Sequence, residues 1–336
     1  MINKKSICII LFYFILPSII KAQELNYISN YYPFIYKAEM KYMDKDYNEA
    51  FLLYKKAFEN EEPLRPHLMW AITSSIKSKH FNETFEWLEK ASLKGSTLKY
   101  ISKLKGINKI KNDKRWNLYL SSFNSLRESW KKTLNDSIIT EIKKMSLGDQ
   151  LYREGSKKNE RDKVVRYDTV QIEGMEKQAI PRKGFYLQRE IDTKNIKRVI
   201  EIIHKYGFIE EKIIGPYFEK KKYDDPWTDI GLIIIHGLWI KDTKDTLINL
   251  LKLEVKKGNC FPFLLGYSID YAESSRSPFQ IYGTGNILKF SIPPFQVSPV
   301  RNPKELNERR ISIGLEPIEN YFRKNKLIKN KITSNY

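Results

Sequence analysis

The chain has 336 residues, 41% of them hydrophobic, and a formal net charge of +19. That is enough apolar content to build one or two packed cores. The basic residues are spread along the chain among Ile, Asn and Tyr and are not gathered into a patch, so the charge reads as a lysine-rich composition and gives no support to nucleic-acid binding.

The first elements in chain order are those of a secretory signal. Lys4 and Lys5 supply a positive start, Cys8 to Ile20 is an almost unbroken apolar run, and Lys21-Ala22-Gln23 breaks it with a small residue. The run is shorter than the roughly 20 residues of a membrane-spanning helix. Residues 1–22 are therefore expected to be a signal peptide cleaved near Ala22, with an uncleaved anchor as the other reading. The mature chain would be periplasmic or secreted, with no stable membrane span after cleavage. It would keep one thiol, Cys260, so no intramolecular disulfide is expected. Gly231–Ile240 is the next most apolar stretch, about half a span long, and reads as a buried helix.

Two segments then align at a shift of 34 residues. Tyr47-Asn48-Glu49-Ala50 matches Phe81-Asn82-Glu83-Thr84, Tyr54 matches Leu88, and Ala57 matches Ala91. The spacing places these positions on one helix face. Small residues there let a neighbouring helix approach, and large ones fill the groove. The pattern resembles the tetratricopeptide repeat, best over Ala38–Pro63 and more weakly over His67–Gly95. A degenerate third unit follows, with a long helical stretch Trp116–Lys144 completing the core. The resemblance implies a concave face that holds a peptide or a partner's helix. The plainer alternative is an array that docks on the rest of the chain. The repeat module is expected over 27–133.

From 138 to 323 a second, mostly helical domain is expected, followed by a basic tail, 324–336. Met145–Gly155 reads as a helix ending at glycine, with Asp149 and Arg153 one turn apart. Ser156–Lys163 reads as a loop and Val164–Ile172 as a short strand. Asp192 is placed to cap a helix carrying Ile196, Val199, Ile200 and Ile203 and ended by Gly207. Trp227–Trp239 predicts a buried helix. Asp242 or Thr243 would cap the next, which Gly258 ends. Pro262–Ser274 predicts another, with Pro262 in its first turn. Gln280–Ile292 reads as a hairpin round Gly283 and Gly285. Asn302–Ile313 and Glu316–Lys324 close the chain as helices. The fold class is thus mainly α: a short tetratricopeptide-like array, then a compact helical domain with a small β-hairpin.

An ordered set of short motifs in this half resembles the bacterial family of unknown function numbered 6624. They are Gly148-Asp149-Gln150 with Arg153, Asp192 with Asn195, Tyr206-Gly207, Ile235-His236, Gln280-Ile281-Tyr282-Gly283-Thr284, and Asn307-Glu308-Arg309-Arg310 leading to Gly314-Leu315, Pro317 and Tyr321. The match spans Ile138 to Tyr321. The chain departs from the family at Asp270-Tyr271, where Asp-Arg is expected, and at Gly285, where Gln is expected. The resemblance implies a fold and no mechanism.

Chemistry at neutral pH needs a positioned proton-transfer group, and His236, at the end of an apolar helix, is the candidate. Asp270 could orient it, with Tyr282 and Arg309 or Arg310 as donors to an anion. A buried histidine and a structural Asp270 are the bland alternative. Asp149, Gln150 and Arg153 could line a pocket, or form a helix-surface ion pair with an exposed amide. No His-Glu-x-x-His or Cys-x-x-Cys occurs, and the histidines at 67, 80, 204 and 236 are far apart, so no metal and no cofactor is expected unless distant elements assemble a site. Two functions follow. One is an exported interaction protein that binds a protein or peptide of the bacterial envelope through its repeats. The other is an envelope hydrolase using His236 as general base oriented by Asp270.

Overall fold

A computed structural model describes residues 25–162, 184–208, 226–274, 276–285 and 299–324. The side chains of 150–162, 184–187 and 226–229 are outside that description, as are the signal segment, the strand expected at Val164–Ile172 and most of the basic tail. The described residues are mainly helical.

The amino-terminal half is built from paired helices. After a short α1 (Tyr27–Asn30) come α2 (Tyr32–Met43), α3 (Tyr47–Asn60), α4 (Arg65–Lys77) and α5 (Phe81–Leu93). The aligned positions 47 and 81 each begin the second helix of a pair. Ala50, Tyr54 and Ala57 on α3, and Thr84, Leu88 and Ala91 on α5, are all fully buried, as their spacing requires. The turns repeat as well. Lys45 (φ 64°) and Lys79 (φ 66°) each take a left-handed conformation. The next amide in each closes on the preceding helix, Asp46 N–H on Lys41 O at 3.0 Å and His80 N–H on Ser75 O at 2.8 Å. A short α6 (Leu98–Ile101) leads to α7 (Lys114–Lys131), which packs on α5 and buries Trp116, Tyr119 and Phe123.

The expected stretch Trp116–Lys144 is broken after Lys131. A second helix, α8, then runs Asp136–Asp162, straight through Gly155 and the described residues, 156–162, of the expected loop. The helix expected from Asp192 begins earlier, as α9 (Gly184–Tyr206). Asp192 is therefore mid-helix and not a cap. Gly207 (φ 80°) ends it as foreseen. Then come α10 (Pro226–Gly237), α11 (Lys241–Lys256), α12 (Pro262–Glu273), α13 (Leu306–Ser312) and α14 (Ile318–Lys324). Neither Asp242 nor Thr243 caps α11, whose N-cap is Ile240. Residues 286–292 of the expected hairpin lie outside the described residues, and the described part, 280–285, forms no strand pair with itself. Gln280 instead pairs in parallel with Val300, receiving Arg301 N–H at 2.8 Å and donating to Pro299 O at 2.9 Å.

One apolar cluster runs from Tyr27 through both halves to Leu315, and a smaller one joins Val300, Leu306, Ile318 and Phe322. The carboxyl-terminal segment lies against the face of α2. Tyr36 Oη donates to Gly314 O, Lys324 Nζ meets Glu39 Oε2 at 2.6 Å, and Arg323 pairs with Asp44. Between α2, α4 and this segment is a cleft of about 380 Å³ lined in part by Tyr36, Glu39, Trp70, Pro262 and Tyr321. No helix among the described residues is long and apolar enough to cross a membrane.

Candidate functional site

The site lies where α8, α9 and α10 pack on one another. Each helix presents a polar side chain in phase with its buried stripe. On α8, Ile138, Ile142, Met145 and Asp149 recur at one-turn and two-turn intervals, and the Asp149 residue is 1% exposed. On α9 the stripe is polar at one end and apolar at the other: Gln188, Asp192 and Asn195, then Ile196, Val199 and Ile203. On α10, Ile230, Ile233 and Ile234 are buried, and His236 stands one turn past Ile233.

The helices are held in register by specific contacts. Asn195 Nδ2 donates to Met145 O at 3.4 Å, and Arg198 reaches Glu141 with two bonds of 2.5 and 3.1 Å. Gly237 lets α10 lie directly on α9. A Cβ there would stand 2.3 Å from Ile196 Cγ1, closer than any real contact. The Arg198 guanidinium rises above its ordinary pKa, first through its hydrogen bond with Glu141.

At the centre, His236 Nδ1 is 3.1 Å from Asp149 Oδ1. Gln188 Nε2 donates to Asp149 Oδ1 at 3.4 Å and to Asp192 Oδ1 at 2.9 Å. One donor atom each from Asp149, Asp192 and His236 lie within 4.8 Å of one another. The His236 side chain remains 16% exposed while that of Asp149 is 2% exposed. Residues from three of the sequence motifs thus converge from positions far apart in the chain. A site built from distant elements, with no spacing signature, is what the absence of a metal motif left open.

Asp270 is elsewhere occupied. It is 2% exposed. Its Oδ1 accepts Ile281 N–H at 2.6 Å and Tyr282 N–H at 2.8 Å, and its Oδ2 accepts Thr284 N–H at 2.7 Å and Thr284 Oγ1 at 2.6 Å. The arginines satisfy two carbonyls of the same loop and tie it to Glu316. Arg309 Nε donates to Ile281 O at 3.1 Å; Arg310 donates from Nη1 to Tyr282 O at 2.6 Å and from Nε to Glu316 O at 2.7 Å. Burial lowers the Arg310 pKa and raises that of Tyr282. Asp270, Tyr282, Arg309 and Arg310 are therefore one knot that pins residues 280–285. The carboxylate beside His236 is Asp149. The side chains of Gln150 and Arg153 fall outside the described residues.

Sequence reasoning read Asp192 as a helix cap and did not single out Gln188. Reading Asp192 as a cap placed it before the helix. Their i, i+4 spacing was the available signal, since it puts both on the face that carries Asn195 and Ile196. No family model, curated protein or solved structure matches this chain.

Proposed function

We propose that this chain is an exported hydrolase whose proton-transfer group is His236, oriented by Asp149, with the helical repeats as the scaffold for the domain that carries it. The observation that supports the reading is the 3.1 Å contact between His236 Nδ1 and the buried Asp149 carboxylate. A ring that donates Nδ1–H to a fixed carboxylate keeps Nε2 as the proton acceptor, and the carboxylate stabilises the imidazolium that forms. The signal-like residues 1–22 support export. The rival reading, a peptide held by the repeats, needs an open face on α2 and α4, and residues 314–324 of the chain itself pack against α2.

The test uses mature protein and a panel of chromogenic acyl esters, phosphomonoesters and phosphodiesters, together with isolated cell-wall material. One class should be cleaved, and His236→Ala and Asp149→Asn should each lower turnover by about 10²–10⁴. Cleavage of no class, or a His236→Ala protein as active as the parent, would sink the proposal. Mass spectrometry of the exported protein should find an amino terminus near Gln23; an intact Met1 on cytoplasmic protein would remove export from it.

A further inference from the structure

The same cluster has the donor set of a metal site. Asp149, Asp192 and His236 come from three different helices, yet one ligand atom from each lies within 4.8 Å of the others. From these contacts we infer that α8, α9 and α10 bind one divalent first-row transition cation, of the zinc or manganese class, through Asp149, Asp192 and His236, with the Gln188 carbonyl as a further ligand. The inference rests on the hydrolase reading's assignment of the site and deepens it: Nδ1 cannot hold both a proton and the ion, so in the loaded site a water on the ion would take over the proton-transfer role given to His236.

Two observations carry it. The first is geometry. Two ligands on an ion at about 2.1 Å stand roughly 3.0 Å apart at a right angle and roughly 3.4 Å apart in a tetrahedron. The His236–Asp149 separation of 3.1 Å already falls in that range. Asp192, the half-buried carboxylate, is the side chain that closes on the ion.

The second is Gln188. Its Nε2 lies on both carboxylates, while its Oε1 is shielded from solvent and accepts no hydrogen bond. A buried carbonyl left in this way is unfavourable. The two ends of an amide are exchanged by a half-turn of the terminal torsion. With a cation among the carboxylates, that half-turn brings Oε1 onto the ion.

The ligand chemistry selects the ion. An imidazole beside two carboxylates suits zinc, manganese or ferrous iron better than magnesium or calcium, which take oxygen alone. Copper(I) prefers sulfur, and the one described cysteine, Cys260, is buried and outside the cluster.

The experiment is calorimetric titration of chelator-treated mature protein with zinc chloride and with manganese chloride, magnesium chloride serving as the control. Elemental analysis after gel filtration gives the stoichiometry. One equivalent of zinc or manganese per chain is expected. Asp149→Asn, Asp192→Asn and His236→Ala should each weaken binding about 100-fold or more, whereas His204→Ala, at an exposed position of α9, should bind as the parent does. Far-UV circular dichroism separates lost binding from lost fold, and Asp192→Asn, at the half-buried position, is the variant that keeps the test decisive. No stoichiometric binding, binding that survives in folded Asp192→Asn and His236→Ala proteins, or equal binding of magnesium would overturn the inference. Hydrolysis that depends on His236 but ignores chelator overturns the metal and leaves the proton-transfer reading. One bound equivalent with no substrate cleaved does the reverse.

Discussion

Asp270→Asn separates a structural carboxylate from a catalytic one. The substitution is nearly isosteric, so packing is preserved and only hydrogen bonding changes. At present the carboxylate accepts four bonds of 2.6 to 2.8 Å, three of them from the backbone of residues 281–284. Asparagine can keep its carbonyl on the Ile281 and Tyr282 amides. Its NH2 then faces Thr284 N–H, donor against donor, while the Thr284 hydroxyl can turn and accept. One buried N–H is thus left unmade, at about 1–3 kcal/mol, and two charge-assisted bonds become neutral, at roughly 1 kcal/mol each. The sum is about 3–5 kcal/mol, a large part of the stability of an ordinary domain. Urea unfolding of the mature protein, followed by circular dichroism, measures it. A loss under about 1 kcal/mol would refute this accounting. It would be refuted more pointedly if the variant kept its stability and lost turnover, as an aspartate that orients His236 would require.

Three further perturbations test other parts of the molecule. Gly237→Ala should destabilise by about 1–3 kcal/mol through overpacking on Ile196 and should weaken metal binding; adding Ile196→Ala should recover part of the loss, and strict additivity in the double variant would count against the contact. Lys45→Gly and Lys79→Gly, at exposed left-handed positions, should each stabilise by about 0.5–1 kcal/mol in thermal or urea melts, and a loss of stability would show that these turns carry no strain. The His67 ring is held neutral, its pKa lowered to about 3, first by burial and then by the Lys324 charge. The unfolded chain therefore takes up the proton first, and this contribution to stability, full above about pH 6.5, is lost as pH falls from there towards 3. Between pH 7.5 and 4.5 His67→Gln should remove about 1–2 kcal/mol of the fall, a figure reduced for the ring's partial exposure; an unchanged pH slope in the variant would refute the assignment.

The parts of the fold that were legible are those in which local sequence and tertiary structure ask for the same thing. Ala50, Tyr54 and Ala57 repeat at Thr84, Leu88 and Ala91 because each helix buries the same face on its neighbour, and a repeated interface writes a repeated sequence. Gly207 and Gly258 ended helices where expected, since both adopt positive φ, at 80° and 77°. Errors arose where a polar residue has a local explanation and a distant partner. Asp192 beside an apolar run looks like a cap, yet it lies mid-helix on a face that meets α8 and α10. Asp149, read either as lining a pocket or as a surface pair with Arg153, is buried where those helices meet. Gly155, a helix breaker by intrinsic preference, lies inside α8, so the residues around it continue the helix against its propensity.

The same reasoning explains why His236 was singled out as a candidate while the carboxylate beside it was expected to be Asp270. A histidine closing an apolar helix is visible from its own neighbours. Which carboxylate it meets depends on how three helices cross, and that crossing is set in part by Gly237, whose significance is the side chain it lacks. Asp270 was the plausible partner by residue type alone. It was already committed, because a loop that buries the N–H groups of Ile281, Tyr282 and Thr284 needs a carboxylate more than a neighbouring imidazole does. Asp149 has a different place. It occupies a position that Ile138, Ile142 and Met145 mark as apolar, and a buried carboxylate in such a stripe is costly unless something positive or hydrogen-bonding meets it. His236 and Gln188 meet it here. A charged residue in phase with an apolar helical stripe was thus the strongest sign of the site that the sequence contained.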